Sequence, residues 1–166
     1  QFLDALMNWS FNRDYVMKII PHLRTRVETF SQVADKAAFC FNGMPAITLE
    51  HFQHGSIETE SMKEWLQFYL WALDVQVDWK RDGLFAEAQR ISKALDVKLK
   101  DFLHPVFVAI AGTAASFSVV DSMEIVGADI SRARIRHAIE ILGGVSKKQT
   151  KKLEKAWVAL QRVNAE

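Results

Sequence analysis

The chain has a single cysteine, Cys40. One thiol excludes an intramolecular disulfide and a thiolate zinc site, and within Ala37-Ala-Phe-Cys-Phe41 it reads as a small buried hydrophobe. No apolar run approaches the roughly 18 residues of a membrane-spanning helix. The sequence holds neither a Gly-x-x-x-x-Gly-Lys-Ser/Thr loop nor a Gly-x-Gly-x-x-Gly turn, which argues against a self-sufficient nucleotide-dependent enzyme. No self-similarity recurs at 20–50 residues, so a repeat solenoid is not expected. The chain opens Gln1-Phe-Leu-Asp-Ala-Leu6, without an initiating Met or a signal-peptide pattern. The expectation is a cytoplasmic segment of a longer protein.

What is present is apolar and helical. Apolar residues make up 49% of the 166, with eleven Phe and five Trp, ample for a packed interior. Met62, Trp65, Leu66, Tyr69, Leu70 and Leu73 repeat at i, i+3 and i+4, and no strict alternation lasts long enough for a sheet. The pattern predicts an all-α fold with helices near 3–8, 13–25, 29–41, 48–53, 60–76, 82–95, 98–111, 117–126, 130–142 and 147–163. Thr29-x-x-Gln32, Ser61-x-x-Glu64 and Ser146-x-x-Gln149 read as capping boxes, each able to satisfy backbone groups at a helix start. Pro21 is expected to kink or split its helix, because it lacks an N–H and crowds the preceding turn. Asn42-Gly-Met-Pro45 is the clearest break. It suggests an N-terminal lobe, 1–43, and a larger C-terminal lobe, 44–166.

Catalytic groupings are scarce. His51 and His54 form His-x-x-His, but two imidazoles make a poor metal site, and no metal is expected. His104 and His137 have no carboxylate or thiol partner nearby in sequence. Ser116, Ser118, Asp121 and Ser122 gather near a turn, where helix capping explains Ser118 and Asp121 as well as chemistry does. No catalytic residue is assigned.

Charge is more informative. Residues 131–163 carry nine Lys/Arg against two Glu, a net of +7, while the remainder carries twelve against eighteen, a net of −6. A near-neutral total thus hides one cationic end, which favours an anionic partner, nucleic acid first. Arg132 and Arg136 stand four apart on one helix face, with Ile135, Ala138, Ile139 and Leu142 on the core face. In the last helix Lys148, Lys152 and Lys155 align opposite a stripe of Leu153, Trp157 and Leu160. A second basic pair, Arg24 and Arg26, follows Pro21. Arginine suits base edges and phosphates because its planar fork donates paired hydrogen bonds.

Several blocks resemble the C-terminal half of bacterial-type glutamyl-tRNA synthetases. They are Ile20-Pro-His-Leu-Arg-Thr-Arg-Val-Glu-Thr-Phe-Ser-Gln-Val33 with the apolar 37–41 run, then Lys98-Leu-Lys-x-x-x-x-Pro105-Val-Phe-Val-Ala-Ile-Ala-Gly112. The helices at Ser118–Gly127 and Ser131–Leu142 continue the match, and the middle, about 44–95, matches in helical character alone. Two departures stand out. Phe107 occupies a position where the family often has Arg, and the helix after Gly144 is longer and richer in Lys.

The resemblance implies an irregular multi-helix anticodon-binding region, a helical cage of two lobes, that reads glutamate tRNA, with glutamine tRNA as the further candidate. Mapped onto this sequence, the anticodon-facing residues are Arg24, Arg26, Ser116, Phe117, Ser118 and Val119. Unpaired bases suit such a site, with Phe117 to stack and Ser116 or Ser118 to bond a base edge. Arg132, Arg136, Lys148, Lys152 and Lys155 are the expected contacts to the tRNA backbone. The family's catalytic domain, which uses ATP and Mg2+, is expected N-terminal to Gln1. The fragment itself is then expected to need no cofactor, to be inactive alone and to be monomeric. Two rivals remain: a helical module whose basic end docks an acidic protein, and a small enzyme using His104, His137 or Asp121.

Overall fold

The structure, a computed structural model, describes residues 12–24, 26–112 and 117–163. Within them the chain forms eight α-helices and no strand: α1 (Arg13–Leu23), α2 (Phe30–Phe41), α3 (Thr59–Asp74), α4 (Arg81–Ala94), α5 (Leu99–Ala111), α6 (Val119–Val126), α7 (Ala128–Ile141) and α8 (Lys147–Val163). A single 3-10 turn, Leu49–Phe52, precedes α3. The expected helix at 3–8 lies outside the described residues. None of the described helices is long and apolar enough to cross a membrane.

Helix α3 is the hub. Its apolar residues are too many for one stripe, and Met62, Trp65, Leu66, Phe68, Tyr69, Leu70, Ala72 and Leu73 are all buried. A helix apolar on most sides must be surrounded, and α4, α5, α7 and α8 pack around it. Tyr69 is fully enclosed, with its hydroxyl donating to the Leu84 carbonyl over 2.9 Å. Burial pushes its pKa far above the ordinary phenol value.

A second, smaller cluster joins Ile19 and Leu23 of α1, Ala37, Phe39 and Cys40 of α2, and Phe117, Ile125 and Val126 from α6 and its approach. The first helices therefore share a core with residues far beyond Pro45. Cys40 is buried as expected, and burial pushes its thiol up to about 12.

Local signals worked out unevenly. Ser146 and Gln149 form their reciprocal box: the Ser146 N–H donates to Gln149 Oε1 at 2.9 Å and the Gln149 N–H to Ser146 Oγ at 3.3 Å. The Ser61 box does not form, because α3 begins at Thr59 with Glu58 as N-cap and Ser61 lies inside it. Gln32 accepts from the Glu28 N–H at 2.9 Å, one residue earlier than expected. Pro21 neither splits nor ends α1 at once. The helix continues to Leu23, since a proline this close to the C-terminus forfeits only one intrahelical bond. Gly112 closes α5 in the left-handed region at φ 81°, and a Cβ there would stand 3.3 Å from the Pro45 Cβ. Both the backbone and the neighbour call for glycine.

Candidate nucleic-acid interface

The two candidate base-reading segments lie ninety residues apart in sequence, and the fold brings them together. Ile19 and Leu23 anchor the inner face of α1 in the small cluster. His22, on the same helix, stacks on Phe117 with ring centroids 5.6 Å apart and 24° between planes. Its Nδ1 lies 3.8 Å from Asp121 Oδ2 at the start of α6. Arg24 and Arg26 follow immediately and are both exposed. Their backbone is held by short turns, with the Arg24 N–H donating to Ile20 O and the Arg26 N–H to Leu23 O.

Phe117 and Val119 are each only 2% exposed. Phe117 sits between His22 and Phe39, whose ring centroid is 5.1 Å away, so its ring is part of the core and not an open stacking platform. An apolar ring next to a charged helix end gains more from burial than from solvent. Ser118 is half-buried at the N-cap of α6, and its carbonyl accepts from the Ser122 N–H and Oγ–H. Ser116 lies outside the described residues. The exposed groups of the described pair of segments are thus the two arginines, and Phe117 is packed against His22 of the helix that precedes them.

Beside this junction, α1, the α3–α4 loop and α6 enclose a polar cleft lined by Lys18, His22, Trp79, Lys80, Arg81, Asp121 and Glu124. Two of its cations are paired with its two acids. Arg81 Nε lies 3.0 Å from Asp121 Oδ1, Lys80 Nζ lies 3.3 Å from Glu124 Oε1, and Glu124 also accepts the Arg81 backbone N–H at 2.8 Å. That last bond caps the start of α4 with a carboxylate, as the helix dipole favours.

The arginines of α7 make contacts within the fold that spacing did not disclose. Arg132 and Arg136 do share a face, but it points at the C-terminus of α3. Arg132 donates through Nε and Nη2 to the Leu73 carbonyl at 3.1 and 2.6 Å, approaches Asp74 at 3.5 Å, and lies 5.0 Å from the Trp79 ring centre. It is engaged in holding α7 to α3. Arg136 keeps an exposed head but pairs with Asp74 at 3.1 Å.

Sequence reasoning missed Arg134, which is 1% exposed. Its guanidinium donates to the carbonyls of Phe39 (2.7 Å), Gly43 (3.0 Å), Asn42 and Ile110. Three of these oxygens sit at the C-terminal ends of α2 and α5, where helix dipoles concentrate negative potential. The site substitutes carbonyls for a carboxylate counter-ion. Burial lowers the Arg134 pKa, against the opposing influence of Tyr15 and Cys40. Spacing held the clue: Ser131, Arg134, Ile135, Ala138 and Ile139 are all buried and follow one helical stripe.

Helix α8 docks as its pattern predicts. Leu153 is buried, and Trp157 stacks on Phe68 with centroids 5.9 Å apart while Arg90 lies over its ring at 5.5 Å. Lys147, Lys148, Lys151, Lys152 and Lys155 are exposed on the other side.

Of the groups considered for chemistry, His54 and His104 meet, and Asp121 does not join them. His51 Nδ1 accepts the Thr48 N–H at 3.0 Å, closing the 3-10 turn. His54 Nε2 lies 3.1 Å from Asp101 Oδ1, and its ring stacks on His104 at 4.1 Å. Asp121 instead faces His22 and Arg81 at the α1–α6 junction. His51 and His54 are therefore fixed by separate partners.

These features define an all-α domain that presents cations from two places, the end of α1 and the outer face of α8. The chain belongs to the anticodon-binding domain family: the family model described as "Anticodon binding domain" matches residues 1–139. It is 70% identical over 95% of its length to a glutamate–tRNA ligase of Alcanivorax borkumensis, covering 32% of that protein. It is 45% identical over its full length to a glutamate–tRNA ligase of Cellvibrio japonicus, covering 33%. The chain thus spans about a third of the length of these relatives. Its fold is similar to a crystal structure of a glutamate tRNA ligase from Elizabethkingia meningosepticum, with a TM-score of 0.71, 19% identity, and coverage of 84% of this chain and 28% of that one.

Proposed function

We propose that this chain is the anticodon-reading part of a glutamate–tRNA ligase. The observation that carries the reading is the His22–Phe117 stack, which joins the end of α1, where Arg24 and Arg26 follow, to the approach to α6. The arginines can offer paired donors to the edges of unstacked bases. Phe117 and Val119 act beneath them as the support that holds the two segments in register. The ligase reaction, with its need for ATP and Mg2+, belongs to the two thirds of the relatives that this chain does not span. The domain's part in that reaction is recognition: binding energy realised far from the reacting groups places the acceptor end of the tRNA. In this role the fragment alone is inactive, and it works in the cytoplasm as a monomer.

The test is a titration of the 166-residue chain with tRNAs that differ only at the anticodon. Preference for the glutamate anticodon over an unrelated one supports the reading, and the glutamine anticodon measures its selectivity. Equal affinity for all three counts against base reading by this domain.

A further inference from the structure

We propose that the outer face of α8 is a docking strip for the phosphate backbone of double-helical RNA, distinct from the base-reading edge. It lies past residue 139, beyond the segment matched by the anticodon-binding family. Lys147, Lys148, Lys151, Lys152 and Lys155 are exposed, and four of them with Gln149 line one open groove. No ion pair among the described residues engages these five. Acids are near but committed or outnumbered. Glu60 pairs with Lys63 at 2.7 Å and accepts from Gln149, and Glu64 lines a small cleft with Lys152. Glu154 is the one acid on α8 itself.

The placement of charge runs against helix stability. The first turns of α8 hold no acid and four lysines, although the positive end of a helix dipole favours acids there. A helix serving only solubility mixes signs along its surface. The Ser146–Gln149 box already occupies backbone groups at this end, so the attraction comes from the ammonium groups themselves. From Lys148 to Lys155 the helix advances about 10 Å, enough to meet two or three phosphates along one strand. The apolar face is committed to Leu153 and Trp157, so the strip is rigidly mounted. Ammonium groups are point charges without a bidentate fork, suited to phosphate and indifferent to sequence. An acidic protein offers the same sign of charge. The RNA backbone is favoured because the partner class proposed for the other edge already supplies it, and the inference rests on that reading.

The experiment titrates the intact chain with a fluorescein-labelled 12-base-pair RNA duplex that has no unpaired bases, and separately with a 20-residue polyglutamate. The account expects duplex binding that weakens with salt. Lys148→Ala/Lys152→Ala/Lys155→Ala should weaken it roughly tenfold and reduce the slope of log affinity against log salt by about 2. The corresponding triple arginine variant should retain binding. The inference is overturned if the duplex does not bind, if the alanine variant keeps wild-type affinity and salt slope, or if polyglutamate binds more tightly than RNA. Because the duplex presents no anticodon, a failure here is separate from a failure of base reading.

Discussion

Arg134 donates to the carbonyl of Phe39 across 2.7 Å, joining residues 95 apart in sequence through one buried guanidinium. The same group reaches Ile110 at the end of α5, so it fastens the α1–α2 pair to the larger core. Replacing it with Met leaves at least two helix-end carbonyls buried and unpaired. Leaving a buried acceptor unpaired typically costs about 1–3 kcal/mol. Arg134→Met should lower stability by that amount in urea denaturation, and Arg134→Lys should recover only part of it, because one ammonium cannot span four oxygens. Wild-type stability in the Met variant would remove the clamp from the account.

Phe117 offers a sharp contrast between support and contact. Truncating a buried phenylalanine costs about 3–5 kcal/mol. Phe117→Ala should therefore destabilise the chain in denaturant, while Phe117→Leu should cost far less and bind RNA nearly as well as wild type. A Leu variant with full stability and no RNA affinity would show that the ring stacks on a base after all.

His104 makes stability depend on pH. Burial lowers its pKa below 6.5, the charge of the stacked His54 lowers it further, and the His51 backbone and Asp101 oppose the shift. Its Nε2 is buried without a partner among the described residues. The folded state thus prefers the neutral ring, whereas the unfolded chain takes up a proton near pH 6.5. Unfolding then binds protons, so stability declines as pH falls below about 6.5 and levels off below the folded-state value. His104→Asn should flatten the decline in urea midpoint between pH 7.5 and 5. An unchanged pH profile would locate the sensitivity elsewhere.

The Ser146 cap should be measurable on its own. Ser146→Ala removes the acceptor for the Gln149 N–H and should cost about 1 kcal/mol. Hydrogen exchange should show the loss concentrated in the first turn of α8, because Leu153 and Trp157 hold the rest. Uniform exchange along the helix would mean the cap contributes nothing local.

Much of this fold was legible in the sequence, and the illegible part has a common cause. The apolar stripes of α3, α7 and α8 and the Ser146 box depend on residues within two turns of one another, so spacing revealed them. Arg132 and Arg134 depend on carbonyls of Leu73, Phe39 and Ile110, contributed by other helices. A basic run of Arg-x-Arg-x-Arg looks solvated until those oxygens are placed. The family resemblance places Phe117 among the anticodon-facing residues, and its burial depends on His22 and Phe39, which come from the far end of the chain. The Ser61 box failed for a local reason: Glu58 offered a start three residues earlier, and α3 took it. Ser116, and the helix expected at 3–8, fall outside the described residues.

The central claim is that Arg24 and Arg26 read bases while the rest of the domain holds them in place. The direct measurement compares wild type, Arg24→Ala and Arg26→Ala on two anticodon stem–loops that share a stem and differ in the anticodon. The account predicts that at least one variant loses about 1–3 kcal/mol on the glutamate anticodon and little on the altered one, erasing the wild-type preference. Equal losses on both RNAs, or none on either, would contradict it.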